Sequence, residues 1–372
     1  MIPDSEPGTD LGRLGRGNAW DTWDTRDGRA KPFVCNTGIF TLSQAISSLG
    51  RFGTLLGQTW NLGLLGLRII ICDKSMKVLI TGASGLIGRA LQKSFAAKGY
   101  ELLLAGRGEP KTANEIRFDA ETGFAEPERL EGIDAVVHLV GEPVSGRWTD
   151  EKKRKIRDSR VHGTRSVVEA LGRLKTKPKV LVSASGVGYY GDRGDDVMTE
   201  MSGAGDTFLA EVCRDWEAEA RRAEDLGVRT VILRTGVVLS KNGGALAEML
   251  TPFKFGVGGV IGSGKQWMSW ITLDDVIAVY NKAVEDETMR GAFNVCAPNP
   301  VTNEEFTRVM GSVLYRPTIL PLPEFAVNLL FGEMGDALLL DSTRAIPKRL
   351  EEAGFEFTFT DLETALKYEL KT

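Results

Sequence analysis

The chain has 372 residues, 42% hydrophobic and 26% charged, which suits one large or two medium globular domains. Its net charge of −4 and acidic pI of about 5.6 leave no electrostatic footprint for nucleic acid. Four cysteines, none in a C-x-x-C pair, and two histidines argue against a zinc site, a disulfide framework or a Ser-His-Asp triad, and fit a reducing, cytoplasmic setting.

Residues 1–75 interleave acids and bases early (Asp4, Glu6, Asp10, Arg13, Arg16) and hold no sustained period of 2 or 3.6. The uncharged stretch from Phe33 to Gly50 is too polar to span a membrane, and the start is acidic where a secretory signal is basic. Arg13, Arg16, Arg26, Arg29, Arg51 and Arg68 leave a targeting segment as the alternative. The preferred reading is an upstream extension ahead of a natural start at Met76, with little packed structure expected.

From Met76 strand and helix patterns alternate. Lys77–Thr81 is a strand that feeds a turn with glycines at Gly82, Gly85 and Gly88, and a helix pattern runs from Leu86 to about Lys98. Such a turn needs glycine for tightness, for close approach of a pyrophosphate and for close helix–strand packing, and the helix start offers free N–H groups to phosphates. Gly82, Ser84, Gly85, Leu86, Ile87 and Gly88 are therefore expected to hold a dinucleotide. A second strand, Glu101–Ala105, ends at Gly106 and Arg107. An acid at that strand end would favour NAD, whereas Arg107 suits a 2′-phosphate, so NADP is expected over NAD; Glu109, two residues on, could blunt that preference.

A weaker third strand is expected at 116–119 and a fourth at 134–139. The fourth runs into Leu139, Val140, Gly141 and Glu142, expected on the ribose and nicotinamide side of the cofactor. Within it His138 reads as a satisfied strand histidine. A long helix is expected from about Thr149 to Leu174, with the basic run Lys152–Lys155 on a solvated face. Lys179–Ser183 is the fifth strand, Thr207–Leu226 a helix with Phe208, Val212, Trp216, Ala220 and Ala223 on one stripe, and Arg229–Arg234 the sixth strand. The alternation predicts an α/β, Rossmann-like, doubly wound parallel sheet over 76–235. After Thr235 glycines are dense and prolines separate helices at about 273–284, 303–314, 323–331 and 362–368. Residues 236–372 therefore read as a smaller C-terminal substrate lobe over the sheet's carboxyl edge.

These residues resemble the extended short-chain dehydrogenase/reductase, or epimerase-like, superfamily, and more closely one atypical branch. That branch is usually described as epimerase family or NADP-dependent oxidoreductase with a C-terminal domain of unknown function, and some members carry a cell-division-inhibitor label. The resemblance rests on Thr81–Gly88, His138–Pro143, Ser159–Arg165, Ser183–Gly191, Phe208–Cys213, Leu233–Leu239, Trp270–Asp275, Pro300–Asn303 and Phe331–Met334, and covers 76 to about 370.

In the superfamily a serine after the fifth strand orients the reacting group, and a tyrosine with lysine four residues later on the next helix moves the proton. Here Ser185 occupies the serine position, but Leu209 falls at the tyrosine position and Cys213 at the lysine position. Ser185 and Tyr190 are the candidates for chemistry. Tyr189 has Arg193 four residues on, though in a glycine-rich loop. Trp148, Tyr189, Arg234 and Trp270 are expected to face or support the substrate; Arg234 serves equally well as an anchor for the lobe. Two readings follow: an NADP(H)-dependent oxidoreductase or epimerase-like enzyme on a small molecule, and an NADP(H)-binding regulator without turnover. No metal, nucleic-acid or membrane partner is expected, and the chain reads as a monomer or homodimer.

Overall fold

Apolar alternation on both faces of the first strand sets the architecture. In β1 (Lys77–Thr81) Val78 and Ile80 turn to one hydrophobic cluster and Leu79 to another, and all three are fully buried. A strand apolar on both faces belongs inside a parallel sheet covered by helices on each side. The computed structural model describes residues 60–62, 67–69 and 75–371. Trp60–Leu62 and Leu67–Ile69 form a short antiparallel pair. Apart from that pair, the expectation for 1–75 lies outside the described residues. The chain from Lys74 onward forms one compact unit.

That unit is built on an eight-stranded sheet. After β1 come α1 (Leu86–Ala97), β2 (Glu101–Gly106), β3 (Glu115–Asp119), β4 (Gly123–Phe124), β5 (Ala135–His138), α2 (Asp150–Arg173) and β6 (Val180–Gly186). They are followed by α3 (Phe208–Arg221), β7 (Arg229–Thr235), α4 (Ala245–Lys254), α5 (Leu273–Glu285) and β8 (Gly291–Val295). Toward the C-terminus lie α6 (Asn303–Leu314), α7 (Glu324–Phe331), α8 (Lys348–Glu352) and α9 (Leu362–Leu370). The strand order is β8-β7-β6-β5-β1-β2-β3-β4, with every pair parallel except β3 and β4. The order reverses at β1, between β2 and β5, and in such sheets ligands bind over the carboxyl ends of the strands at this point. One face packs α1 and α5 through Leu91, Phe95, Val276 and Tyr280; the other packs α2 through Val167 and Leu171.

The expected Rossmann-like sheet is present with its helices. Thr149 and Thr207 start α2 and α3 as predicted, each accepting a hydrogen bond from a backbone N–H three residues on. One strand of the main sheet comes from beyond the expected boundary at 235: β8 pairs in parallel with β7 from Val231–Gly291 to Thr235–Val295. The buried Arg229 guanidinium fastens this join by donating to the carbonyls of Ala283, Val284 and Met289. The smaller lobe has its own core, in which Leu246, Leu250 and Phe253 of α4 meet Phe306 and Met310 of α6 and Leu366 of α9. No helix among the described residues is long and apolar enough to cross a membrane.

His138 closes β5 as a structural residue. It is 0% exposed, its Nδ1 lies 2.7 Å from the Thr81 hydroxyl and its Nε2 3.0 Å from that of Thr164. Burial lowers its pKa to about 4. The unfolded chain takes up a proton near pH 6.5 while the folded chain does not until about pH 4, so this stabilisation is full above pH 6.5 and is lost as pH falls toward 4. Urea denaturation should show His138→Gln less stable than the parent at pH 7 but losing about 2 kcal/mol less between pH 7 and 5. An equal loss in both proteins would refute the assignment.

Candidate functional site

The glycine turn lies at the switch point. Gly82 adopts φ +69°, and a Cβ there would sit 2.9 Å from the Leu139 carbonyl carbon. At Gly88 a Cβ would sit 2.5 Å from the Gly82 carbonyl oxygen, so both positions exclude a side chain. The turn therefore brings the start of α1 hard against the end of β5. Helix α1 begins at Gly85 with no side-chain cap and no acid in its first turn, and Ser84 and Gly85 are exposed. Its first N–H groups, from Leu86, Ile87 and Gly88, have no acceptor among the described residues, and a helix start of this kind suits an anion. From the second half of the chain, Gly243 and Gly244 approach the Leu86 side chain just before α4.

At the end of β2, Arg107 is exposed and has no hydrogen bond or ion pair among the described residues. Glu109 is paired with Arg117 at 2.6 Å. At the end of β5, the Leu139 N–H donates to the Thr81 carbonyl and hydroxyl, and Val140 packs on the α2-side core. Gly141 is exposed. Glu142 is held by Lys152 at 2.8 Å; that hydrogen bond keeps its carboxyl below the usual range against a smaller effect of burial. The remaining lysines of the basic run are paired as well, Lys153 with Glu333 and Lys155 with Glu151.

The carboxyl ends of β6 and β7 carry a buried ion pair. Arg234 and Glu217 of α3 are each 3% exposed, and the guanidinium donates to both carboxylate oxygens at 2.7 and 2.8 Å. Burial works against the Arg234 charge, but Glu217 outweighs it and raises its pKa. The Ser185 hydroxyl donates to Glu217 at 2.8 Å, so its proton is committed to a carboxylate. Arg234 also lies 3.5 Å from the Tyr189 ring centre and donates to the Tyr190 hydroxyl at 3.1 Å.

These placements revise several sequence expectations. Tyr190, expected in chemistry, is 0% exposed, and its hydroxyl is shared among Arg234, Asn294 and the Thr199 carbonyl. Burial pushes its pKa up to about 12 even though the Arg234 charge favours the phenolate. It is a neutral structural phenol. Arg234 is an anchor saturated by Glu217, not a free cation for substrate. Trp270 does not face the crevice: it is fully buried in the smaller lobe, donating to the Asn299 carbonyl at 2.9 Å. Arg193 braces its own loop through the carbonyls of Tyr190, Gly203 and Ala204, so it does not assist a phenol. Tyr189 is half-buried, and its hydroxyl has no hydrogen bond among the described residues.

Trp148 is nearly buried, packed edge-on against Phe208 at 5.2 Å and donating to the Val144 carbonyl. Leu209, Phe331 and Met334 join that cluster, so α3 presents leucine and the lobe presents apolar side chains to the same region. Cys213 lies buried beside Ser185 and the Gly186 backbone; burial pushes its thiol up to about 11 against the nearby Arg160 charge. A thiol held protonated is a packing group. No local sequence signal marks Glu217 as a site residue; it meets Arg234 because α3 packs across β6 and β7.

A doubly wound sheet with a glycine turn at its switch point defines a dinucleotide-type α/β fold. Residues 78–296 match the family described as "NAD dependent epimerase/dehydratase family", and the chain belongs to that family. Residues 322–369 match a domain of unknown function, DUF1731. An epimerase family protein of Mycobacterium bovis, Mb2239, is 42% identical over 292 residues, spanning 78% of this chain and 96% of the relative. The chloroplastic SDR39U1 homolog of Arabidopsis thaliana is 40% identical over 303 residues, 79% of this chain and 87% of the relative. The crystal structure of human epimerase family protein SDR39U1 with NADPH superposes with a TM-score of 0.73 at 34% identity, covering 80% of this chain and 100% of that one.

The ion pair should be strongly coupled. Arg234→Met leaves Glu217 buried without its partner and is expected to cost about 3–5 kcal/mol in chemical denaturation. Arg234→Met combined with Glu217→Leu should recover most of that loss, and a double variant as unstable as the single would contradict the coupling.

Proposed function

We propose that the chain is an NADP(H)-dependent oxidoreductase of the epimerase family, acting on a small molecule held beside Trp148, Tyr189 and Leu209. The observation that carries this reading is the exposed, unpaired Arg107 at the end of β2 together with the glycine cradle. Gly82–Gly88 fit a pyrophosphate, since the turn excludes side chains and the first turn of α1 carries no competing acid. Arg107 suits a 2′-phosphate because no acid stands at that strand end and Glu109 is engaged by Arg117. The NADPH in the human relative's structure supports the same choice.

When bound, such a cofactor supplies hydride chemistry, and the protein's share is positioning and proton handling. Tyr189 is the side chain best suited to proton handling, with a hydroxyl that has no partner among the described residues and a ring fixed against the Arg234 guanidinium. Leu209, Trp148 and Phe208 exclude water from the same region. Ser185 retains lone pairs to accept a hydrogen bond, but its proton belongs to Glu217.

A second reading, NADP(H) binding without turnover, is favoured by Leu209 and Cys213 standing where the superfamily's tyrosine and lysine would stand. Purified protein tested with NADPH and a panel of aldehydes, ketones and quinones separates the two. Loss of absorbance at 340 nm that stops in Tyr189→Phe supports the enzyme, and tight NADPH binding with no turnover on any member supports the binding protein.

For cofactor choice, Arg107→Ala should weaken NADPH about ten- to a hundred-fold while leaving NADH within about two-fold, read by fluorescence titration. Equal losses for both cofactors would remove the 2′-phosphate assignment.

A further inference from the structure

Helix α3 carries Cys213 rather than lysine, and the Arg234 guanidinium is consumed by Glu217. Arg160 of α2 is placed differently. A Cβ built on Gly141 would meet its Cζ at 3.0 Å, Nη2 at 3.1 Å and Nε at 3.4 Å, so the guanidinium lies directly beneath this exposed stretch of backbone. Gly141 leaves that contact open because it has no side chain.

Only Nη1 of Arg160 is engaged, donating to the carbonyls of Glu142 and Ile156 at 3.0 Å each. Nε and Nη2 have no acceptor, and no carboxylate lies within 4.0 Å of the group, among the described residues. The guanidinium is steadied over the Trp216 ring, 5.4 Å from its centre, and Trp216 Nε1 is itself a buried donor without a partner. Burial lowers the Arg160 pKa, with Cys213 and Glu142 opposing the shift. Arginine nevertheless keeps its charge at any pH the protein would meet. The result is a half-buried, donor-rich positive pocket between the end of β5 and the Cys213 position of α3. Among the described residues no carboxylate pairs with it directly, and Glu142 offsets its charge only from a distance.

We propose that Arg160 is the cofactor-facing cation of this site, taking from α2 the electrostatic role that α3 cannot fill with Cys213. It offers its unused N–H groups to the ribose hydroxyls at the nicotinamide end and sets a positive potential there. The inference rests on the reading of Gly82–Gly88 as the cofactor cradle. A cation at this point discriminates between cofactor forms, because the oxidised nicotinamide ring carries a positive charge and the reduced ring does not. The site should therefore favour NADPH over NADP+ through Arg160.

Dissociation constants for NADPH and NADP+ in the full chain, measured by calorimetry, test this. Arg160→Gln should weaken NADPH about ten-fold and shrink the preference for NADPH over NADP+ about five-fold. Arg160→Lys should keep the preference. Arg160→Gln combined with Cys213→Lys should restore it by returning a cation from α3. A merely structural role for Arg160 would weaken both forms alike, and that result, or no change at all, overturns the proposal while leaving the cofactor reading intact. Parent protein that binds neither form overturns both. Should Arg160→Gln not fold, Gly141→Ala reads the same ratio, since its new Cβ would press on the guanidinium; an unchanged ratio there, with both forms bound, also counts against the proposal.

Discussion

The arrangement at the carboxyl edge of the sheet depends on one buried ion pair. Arg234 and Glu217 are withdrawn from water, and charges in that position persist only where each is fully hydrogen-bonded. That requirement recruits the neighbours. Ser185 gives its proton to Glu217, Tyr190 accepts from Arg234, and Tyr189 stacks on the guanidinium face. Through these contacts β6, β7, α3 and the loop after β6 are fixed relative to one another. The same contacts remove two conspicuous hydroxyl groups from acid–base work. Polar residues at a strand end are thus not automatically reactive; here several of them serve to keep a charge satisfied.

The electrostatics divide the crevice into regions of different character. At the turn between β1 and α1 the first N–H groups of α1 and Arg107, which has no partner among the described residues, are positive and open to solvent. At the opposite end the charges are enclosed, and the surface next to them is apolar through Trp148, Phe208 and Leu209. A ligand bridging both would be held by its anionic part and read by its uncharged part. This division follows from placing glycine and a helix start at one strand end and bulky apolar side chains near the others.

Much of this was legible in the sequence because it depends on local pattern. The apolar run of Lys77–Thr81, the glycine spacing, and the helix starts at Thr149 and Thr207 are short-range signals with a definite physical cause. His138 was readable as a core residue from the apolar run around it. Contacts between distant segments were not readable. The burial of Tyr190 depends on Asn294, that of Trp270 on the lobe core around α6 and α9, and the Arg234–Glu217 pair on the docking of α3 against β7. Helix α4 was missed because Pro252 within it and the glycines flanking it look like loop signals.

The pairing of β8 with β7 has a consequence for how the chain is made. During synthesis from the N-terminus, β7 emerges with β6 already available on one side and nothing on the other. It remains an edge, with its backbone groups unpaired, until Val295 has left the ribosome. Such an exposed apolar edge is a template for wrong pairing between nascent chains. The buried Arg229, whose carbonyl partners all lie in the stretch Ala283–Met289, adds a second obligation that only the later segment can meet. The β7 side of the sheet is therefore completed last, and a chain that ends between 235 and 291 leaves that edge open.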